Sequence, residues 1–251
     1  MNPKKKPYYS PASSQAGFTL IESLMAILVV TIMMIAISPA IVLSVATRVQ
    51  TKRLEMGTNA ARSYIAALSS GEIINSNDEK APPPPITDAA TAATPNEIQV
   101  PSGGTLDCRA PLGTTPIPKF FKCDTETADS FLYCADNDDT TGCDANSTKD
   151  MIVQGFGISQ AVDTSLTNAQ NAEKSYQLGV RVYRADAFKD SEALKRSVAP
   201  DKLEAKTVTS GIGDRKAPLV EMTTEIITDR SSYSNLCERL KDTGNTNSDC
   251  S

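Results

Sequence analysis

Six cysteines are the residues of this chain whose type and number point most directly to chemistry. Thiols pair as disulfides in an oxidising compartment, or they bind zinc as thiolates at characteristic spacings. No two of these cysteines have C-x-x-C spacing and their number is even, so the sequence favours up to three disulfides over a metal centre. The six are Cys108, Cys123, Cys134, Cys143, Cys237 and Cys250.

An acidic run is the second candidate group. Residues 136–144 offer spaced oxygen ligands of the kind that hold calcium. The run departs from an EF-hand loop because Gly142 stands one position late and no glutamate closes the loop. A solvated acidic turn is therefore the preferred interpretation. Calcium binding is left open, and no metal site is predicted.

A complete catalytic set is missing. The chain has no histidine, which removes the usual general base and a common zinc ligand. It also lacks a G-x-S-x-G motif, a P-loop and an H-E-x-x-H motif. Glu221 and Glu225 lie an even number of residues apart and would face the same way on a strand. Paired carboxylates serve glycoside hydrolysis, but solvated strand acids are far commoner, so we predict no enzyme and no cofactor.

The charge balance is acidic. The 251 residues include 25 basic and 30 acidic side chains, a net charge of −5. An acidic chain repels a phosphate backbone, so we expect no nucleic-acid partner.

A long apolar stretch organises the N-terminal part of the chain. Residues 18–47 hold 22 apolar side chains and one charge, Glu22. Twenty helical residues cover ~30 Å, which matches the hydrocarbon core of a bilayer. A secretory signal peptide has a shorter apolar core. A plain membrane anchor leaves Glu22 unexplained, because an intramembrane carboxylate costs about 2.5–3.5 kcal/mol and usually has a partner.

Three lysines, residues 4–6, precede this stretch. Positive charge is retained on the cytoplasmic side of a membrane. We therefore predict a single-pass protein of the inner (plasma) membrane, with its N-terminus cytoplasmic. Its C-terminal domain would be periplasmic or extracellular, where disulfides form.

The junction GFTLIE at residues 17–22 follows a basic leader and opens the apolar stretch. This combination resembles the class III signal of type IV pilins and of type II secretion pseudopilins. The resemblance implies that a prepilin peptidase cuts between Gly17 and Phe18, and that Phe18 is N-methylated. It implies that Glu22 is an assembly determinant. The implied partners are other pilin or pseudopilin subunits, the peptidase and, indirectly, the assembly platform and ATPase. The subunit would join a filament when assembled.

The resemblance and the composition together predict an α+β fold. A long N-terminal helix would pack its outer half on an antiparallel β-sheet, with a disulfide-bearing loop insertion between them. The predicted segments are a leader at 1–17, a membrane-spanning or filament-core helix at 18–47, its amphipathic continuation at 48–71, a Pro-rich linker and Cys-containing insertion at 72–149, and a β-sheet region with a C-terminal segment at 150–251.

Periodicity refines these segments. Near-helical spacing places Val49, Met56, Ala60, Tyr64, Ala67 and Leu68 on one face of the helix. Pro39 predicts a kink or local melting of the helix. Four prolines at 82–85 predict a mobile linker over 72–107, and an irregular, disulfide-stapled excursion is expected at 108–148. Strands are expected at 151–158, 176–183, 204–210 and 219–228, and short helices at 191–198 and near 231–242.

Two finer expectations follow from the resemblance. Many pilins close a C-terminal loop with a disulfide, which favours Cys237 paired with Cys250; the other four cysteines allow three pairings, and the sequence does not choose. The segments at 177–188 and 218–226 resemble pseudopilins of hormogonium polysaccharide secretion. The expected function is a structural, minor subunit of a pilus-like filament that supports polysaccharide secretion.

Three alternatives stay open for the function. The first runner-up is a minor pseudopilin of general type II protein secretion. The second is a minor type IV pilin for motility, adhesion or DNA uptake. A surface adhesin or ligand-binding tip would use residues 72–148 as its binding face.

The first prediction concerns processing. Membrane-extracted protein should have lost residues 1–17 and gained one methyl group on Phe18, as read by intact mass. Replacing Gly17 with a bulky residue, Gly17→Ile, should block cutting because the peptidase site admits a small side chain there. A mature chain that begins at Met1 in cells with an active prepilin peptidase would contradict this.

Overall fold

The computed structural model describes the following residues: 19–71, 73, 82–89, 94, 97–104, 106–109, 120–127, 130–138, 142–159, 162–173, 175–197 and 214–227. Several expectations lie outside them. These are the leader, the junction of Gly17 and Phe18, the strand at 204–210, the C-terminal helix, and the pair Cys237 and Cys250. The chain divides into two compact units, residues 1–45 and residues 46–251.

A single helix, α1, covers Leu20–Ser70 and belongs to both units. In the first unit its large apolar side chains are exposed from Leu20 to Val45. The helix has the length and composition to cross a membrane, as predicted. Helical structure continues through Pro39.

In the second unit, the continuation of α1 is amphipathic. Four residues of this part are buried: Gly57, Ala60, Ala61 and Tyr64. Three of them are small, which lets the helix backbone approach the sheet closely. A Cβ at Gly57, for example, would lie 3.2 Å from Cβ of Leu219. The predicted stripe is thus confirmed at Ala60 and Tyr64, whereas Val49 is 45% exposed.

The described residues after α1 include the following strands and short helices. They are β1 Ile86–Asp88, β2 Cys108–Arg109, β3 Phe120–Thr127, β4 Ser130–Ala135, β5 Gly142–Cys143, β6 Met151–Ser159, α2 Asn168–Ala172, β7 Tyr176–Arg184, the 3-10 helix Ala185–Phe188, and β8 Val220–Ile226. The expected strands at 151–158, 176–183 and 219–228 are confirmed within one or two residues.

The main sheet has the order β3-β4-β6-β7-β8, and every neighbouring pair along this order is antiparallel. Strand β1 adds a short parallel pairing to the end of β6. Strands β2 and β5 form a separate two-stranded sheet. The predicted α+β fold, with a long helix packed on an antiparallel sheet, is confirmed.

Alternation along the strands gives the sheet two apolar faces. Leu178, Val180 and Val182 of β7 lie in the same cluster as Tyr64 and face α1. Tyr183, one residue further on, lies in a second cluster with Phe188 on the opposite face. Both faces are covered, so β6 is buried along its whole length and does not alternate between apolar and polar residues.

The expectation of an irregular excursion at 108–148 is wrong for β3 and β4, which extend the main sheet. Cysteines within these strands hid the alternation, because Cys123 and Cys134 are buried and behave as apolar residues. The structure also gives the pairing that the sequence left open, Cys108 with Cys123 and Cys134 with Cys143.

The expectation of a mobile linker is wrong for residues 82–89. Asn168, at the start of α2, donates from Nδ2 to the carbonyls of Pro83 and Pro84 at 3.1 and 3.0 Å. Its Oδ1 accepts from the N–H of Ile86 at 2.8 Å. One half-buried amide therefore holds the proline run beside the sheet. Its partners lie more than 80 positions away, so local pattern does not reveal the contact.

The helix expected at 191–198 is wrong for the described residues 191–197, which have no helical structure. Lys216 gives the reason, because its buried ammonium binds three carbonyl oxygens of the preceding segment. The Nζ distances are 2.7 Å to Ala187, 3.3 Å to Asp190 and 2.9 Å to Glu192. These contacts fix the backbone of Asp190 and Glu192, at the start of the segment, against a residue that lies far away in sequence.

Tyr64 packs on β6 where Gly155 leaves room for it. The Tyr64 side chain is fully buried, and its ring centroid lies 4.5 Å from that of Tyr133. Burial raises the pKa of Tyr64 well above its ordinary value. A Cβ at Gly155 would overlap the phenol oxygen of Tyr64.

We predict that Gly155→Ala lowers the free energy of unfolding by about 1–3 kcal/mol, because the added methyl displaces Tyr64 and with it the helix. Denaturant titration of the full chain in detergent measures this. Tyr64→Phe removes the overlapping oxygen, so the same substitution should cost less in that background. Equal losses in both backgrounds would refute the contact.

Candidate processing and assembly site

Thr19 caps the start of α1. Thr19 directly precedes the helix, and its Oγ1 and carbonyl accept from the N–H of Glu22 at 3.4 and 3.0 Å. Threonine followed three residues later by glutamate is the spacing of a capping box. A carboxylate in the first turn also interacts favourably with the helix dipole. Sequence reasoning missed this role, although the spacing of Thr19 and Glu22 is visible in the sequence.

Glu22 opens a long stretch without charge. It is exposed, and the next charged residue is Arg48, 25 uncharged positions further on. Those positions cover ~38 Å of helix at ~1.5 Å per residue. This exceeds the ~30 Å hydrocarbon core and stays within the ~40–45 Å of a bilayer with its headgroups. Glu22 and Arg48 thus mark the two ends of an apolar span.

The acidic cluster in the structure has different members from the acidic run at 136–144 that the sequence singles out. Carboxylate oxygens of Asp136, Asp138 and Asp150 lie within 4.8 Å of one another. Asp136 and Asp150 are buried, so the interpretation as a solvated turn is wrong for Asp136. Asp150 lies six positions beyond the acidic run and was missed; its place directly before β6 is the one signal that the sequence offers.

Hydrogen bonds within the chain account for the form of this loop. Asp150 accepts from the N–H of Asn137 at 3.1 Å and of Asp144 at 3.4 Å. Ser147 donates to Asp138 at 2.7 Å. Burial raises the pKa of Asp150, and hydrogen bonds from Asn137, Ser147 and Asp144 to this carboxylate oppose that shift. The buried carboxylate therefore serves as an acceptor that closes the loop between β4 and β6.

Of the two acids of β8, Glu221 serves the fold. Glu221 accepts from Nε of Arg181 at 2.8 Å and from the N–H of Ser197 at 3.3 Å. Arg181 is 1% exposed and also donates to Gln154 at 3.2 Å. Burial lowers the pKa of Arg181, and Glu221 opposes that shift. This network ties the sheet to the segment around Ile98, whose carbonyl accepts from Arg181 at 3.1 Å.

Comparison with known families adds one finding. Residues 12–38 match the family model of the prokaryotic N-terminal methylation motif. The matched range includes Gly17, Phe18 and Glu22. Neither a curated protein nor a solved structure matches the chain. The N-terminal region therefore carries a type IV pilin-like methylation motif, which supports a pilin- or pseudopilin-like subunit associated with other pilins and with the prepilin peptidase.

Proposed function

We propose that the chain is a minor subunit of a pilus-like filament, a pseudopilin that supports the secretion of a polysaccharide. The observation that carries the proposal is the methylation motif at residues 12–38 at the head of a helix long enough to cross a membrane. The structural role in assembly, rather than catalysis, agrees with the lack of a complete catalytic set in the sequence.

The processing steps belong to the same proposal. The peptidase cuts between Gly17 and Phe18 from the cytoplasmic side, and Phe18 receives the methyl group. The domain that follows α1 lies outside the inner (plasma) membrane, where its cysteines are oxidised. The disulfides of Cys108 with Cys123 and Cys134 with Cys143 support an oxidising location. Cys237 and Cys250 remain the predicted third pair.

One feature supports a minor rather than a bulk subunit, and a second supports a polysaccharide as the cargo. The stretch between α1 and β6 is long and holds four of the six cysteines. The two segments that resemble polysaccharide-secretion pseudopilins are 177–188, which includes all of β7 except Tyr176, and 218–226, which contains β8. These strands pair along seven positions, from Tyr176 with Ile226 to Val182 with Val220, so the resemblance falls on one continuous piece of the sheet.

Deletion of the gene tests the cargo. Loss of the subunit should reduce extracellular polysaccharide, measured by lectin staining and by sugar analysis of the medium, and the wild-type gene should restore it. The secreted proteins, surface motility and DNA uptake should stay unchanged. A loss confined to secreted proteins would instead favour general type II secretion, and a loss of motility or DNA uptake would favour a minor type IV pilin.

Glu22 tests the assembly role. After cutting, the new amino group of Phe18 is a cation near Glu22, and the carboxylate of one subunit would pair with the amino group of its neighbour. Glu22→Gln keeps the side-chain acceptor of the capping position and removes the charge. We predict that Glu22→Gln and Glu22→Ala are both inserted and cut, yet both fail to enter filaments, as measured in the sheared filament fraction.

The two variants separate capping from charge. If Glu22→Gln assembles like the wild type and Glu22→Ala does not, helix capping explains the residue. If both assemble and secrete normally, pairing between subunits is wrong, and apolar packing alone holds the helix.

A further inference from the structure

A cationic face lies on the continuation of α1, within the second unit. We define it by residues that recur at alternating intervals of four and three, which places them along one side of a helix. They are Arg48, Lys52, Glu55, Asn59 and Arg62, and all five are exposed. The buried residues Gly57, Ala60, Ala61 and Tyr64 occupy the other side. The cationic face therefore points away from the sheet.

Within the described part of the chain, no ion pair uses the cations of this face. Arg48, Lys52 and Arg62 make no ion pair with another described residue. Arg53, by contrast, lies on the side of the sheet, where burial and Arg184 lower its pKa. Arg48 and Lys52 are like charges at i and i+4, an arrangement that opposes helix formation. Residues that oppose the local structure in this way are expected mainly at functional sites. The like charges of Arg48 and Lys52 therefore point to a contact outside the isolated domain.

The charge of this face contrasts with the rest of the protein. Residues 48–62 contain four basic and one acidic side chain. The remainder of residues 18–251 contains 18 basic and 29 acidic side chains. The cationic face is therefore a local feature that overall composition does not explain, and it complements an acidic surface.

The length of the face favours a protein over a lipid surface as its partner. Arg48 and Arg62 are 14 residues apart, ~21 Å along a helix. The potential of an anionic leaflet decays within a Debye length of ~8 Å, so Arg62 would lie beyond its reach when Arg48 is at the headgroups. Glu55 in the middle of the face also opposes an anionic membrane, whereas a protein surface can present a cation to it.

We propose that the cationic face docks on an acidic surface of a neighbouring filament subunit, with Arg48, Lys52 and Arg62 as its anchors. The inference rests on the proposed function, since it names the partner surface that a filament subunit needs next to its apolar helix. Several exposed pairs, each weak alone, then fix how a subunit is seated against its neighbour.

The test compares two charge reversals of equal size in the full chain. Arg48→Glu with Lys52→Glu should be inserted, cut and melt like the wild type, but should fall at least tenfold in the filament fraction. The matched control reverses two exposed cations elsewhere, Arg109→Glu with Lys189→Glu, and should assemble normally. A separate variant that exchanges the two cations, Arg48→Lys with Lys52→Arg, keeps both charges and should assemble like the wild type.

A photo-crosslinking amino acid at Asn59 identifies the partner. Ultraviolet light should join it, in assembled filaments, to an acidic peptide of a neighbouring subunit, and replacing that peptide's acids with lysines should rescue the reversed variant. Cross-links to phospholipid alone would overturn the inference in favour of a lipid contact.

The outcomes separate this inference from the function on which it rests. If the wild-type chain never enters a filament, the proposed function fails. If the wild type enters filaments and the reversed pair enters them equally well, the cationic face has no docking role, and the proposed function stands.

Discussion

The apolar surface of α1 between Leu20 and Val45 is the constraint on which other features depend. Its large side chains are exposed by 48% at Leu28 and by up to 90% at Leu20. Water does not tolerate an apolar surface of this extent, so the helix needs lipid tails or other helices around it. Its backbone hydrogen bonds are internal, which satisfies its polar groups in either surrounding.

Lipid tails and packed apolar helices are similar solvents for such a surface. Transfer of the helix from a membrane into a bundle of like helices therefore changes its hydrophobic free energy little, and packing and polar contacts decide where it goes. The polar groups that flank the span, Glu22 at one end and Arg48 at the other, are few. Because they are so few, each of them has a large influence on the axial position of the helix relative to its surroundings. A single surface charge in a soluble protein rarely has such an influence.

The sequence predicted the features that follow from periodicity and not those that follow from distant contacts. Alternation in β7 and the amphipathic stripe through Tyr64 gave correct elements because both patterns are local. Strands β3 and β4 were missed because their apolar positions include cysteines. The ordered proline run and the non-helical segment at 191–197 depend on Asn168 and Lys216, which lie far away in sequence. The loop acids were found in part, since Asp150 reaches its partners only after the chain folds back.

The disulfides of the described residues all lie on one side of the main sheet. Cys108, Cys123, Cys134 and Cys143 belong to the cluster opposite α1, whereas the cluster that contains Tyr64 has none of them. The two sides of the sheet therefore differ in what their formation requires. The side that faces α1 is held by noncovalent packing alone, whereas the opposite side is complete only when an oxidant has closed its two disulfides.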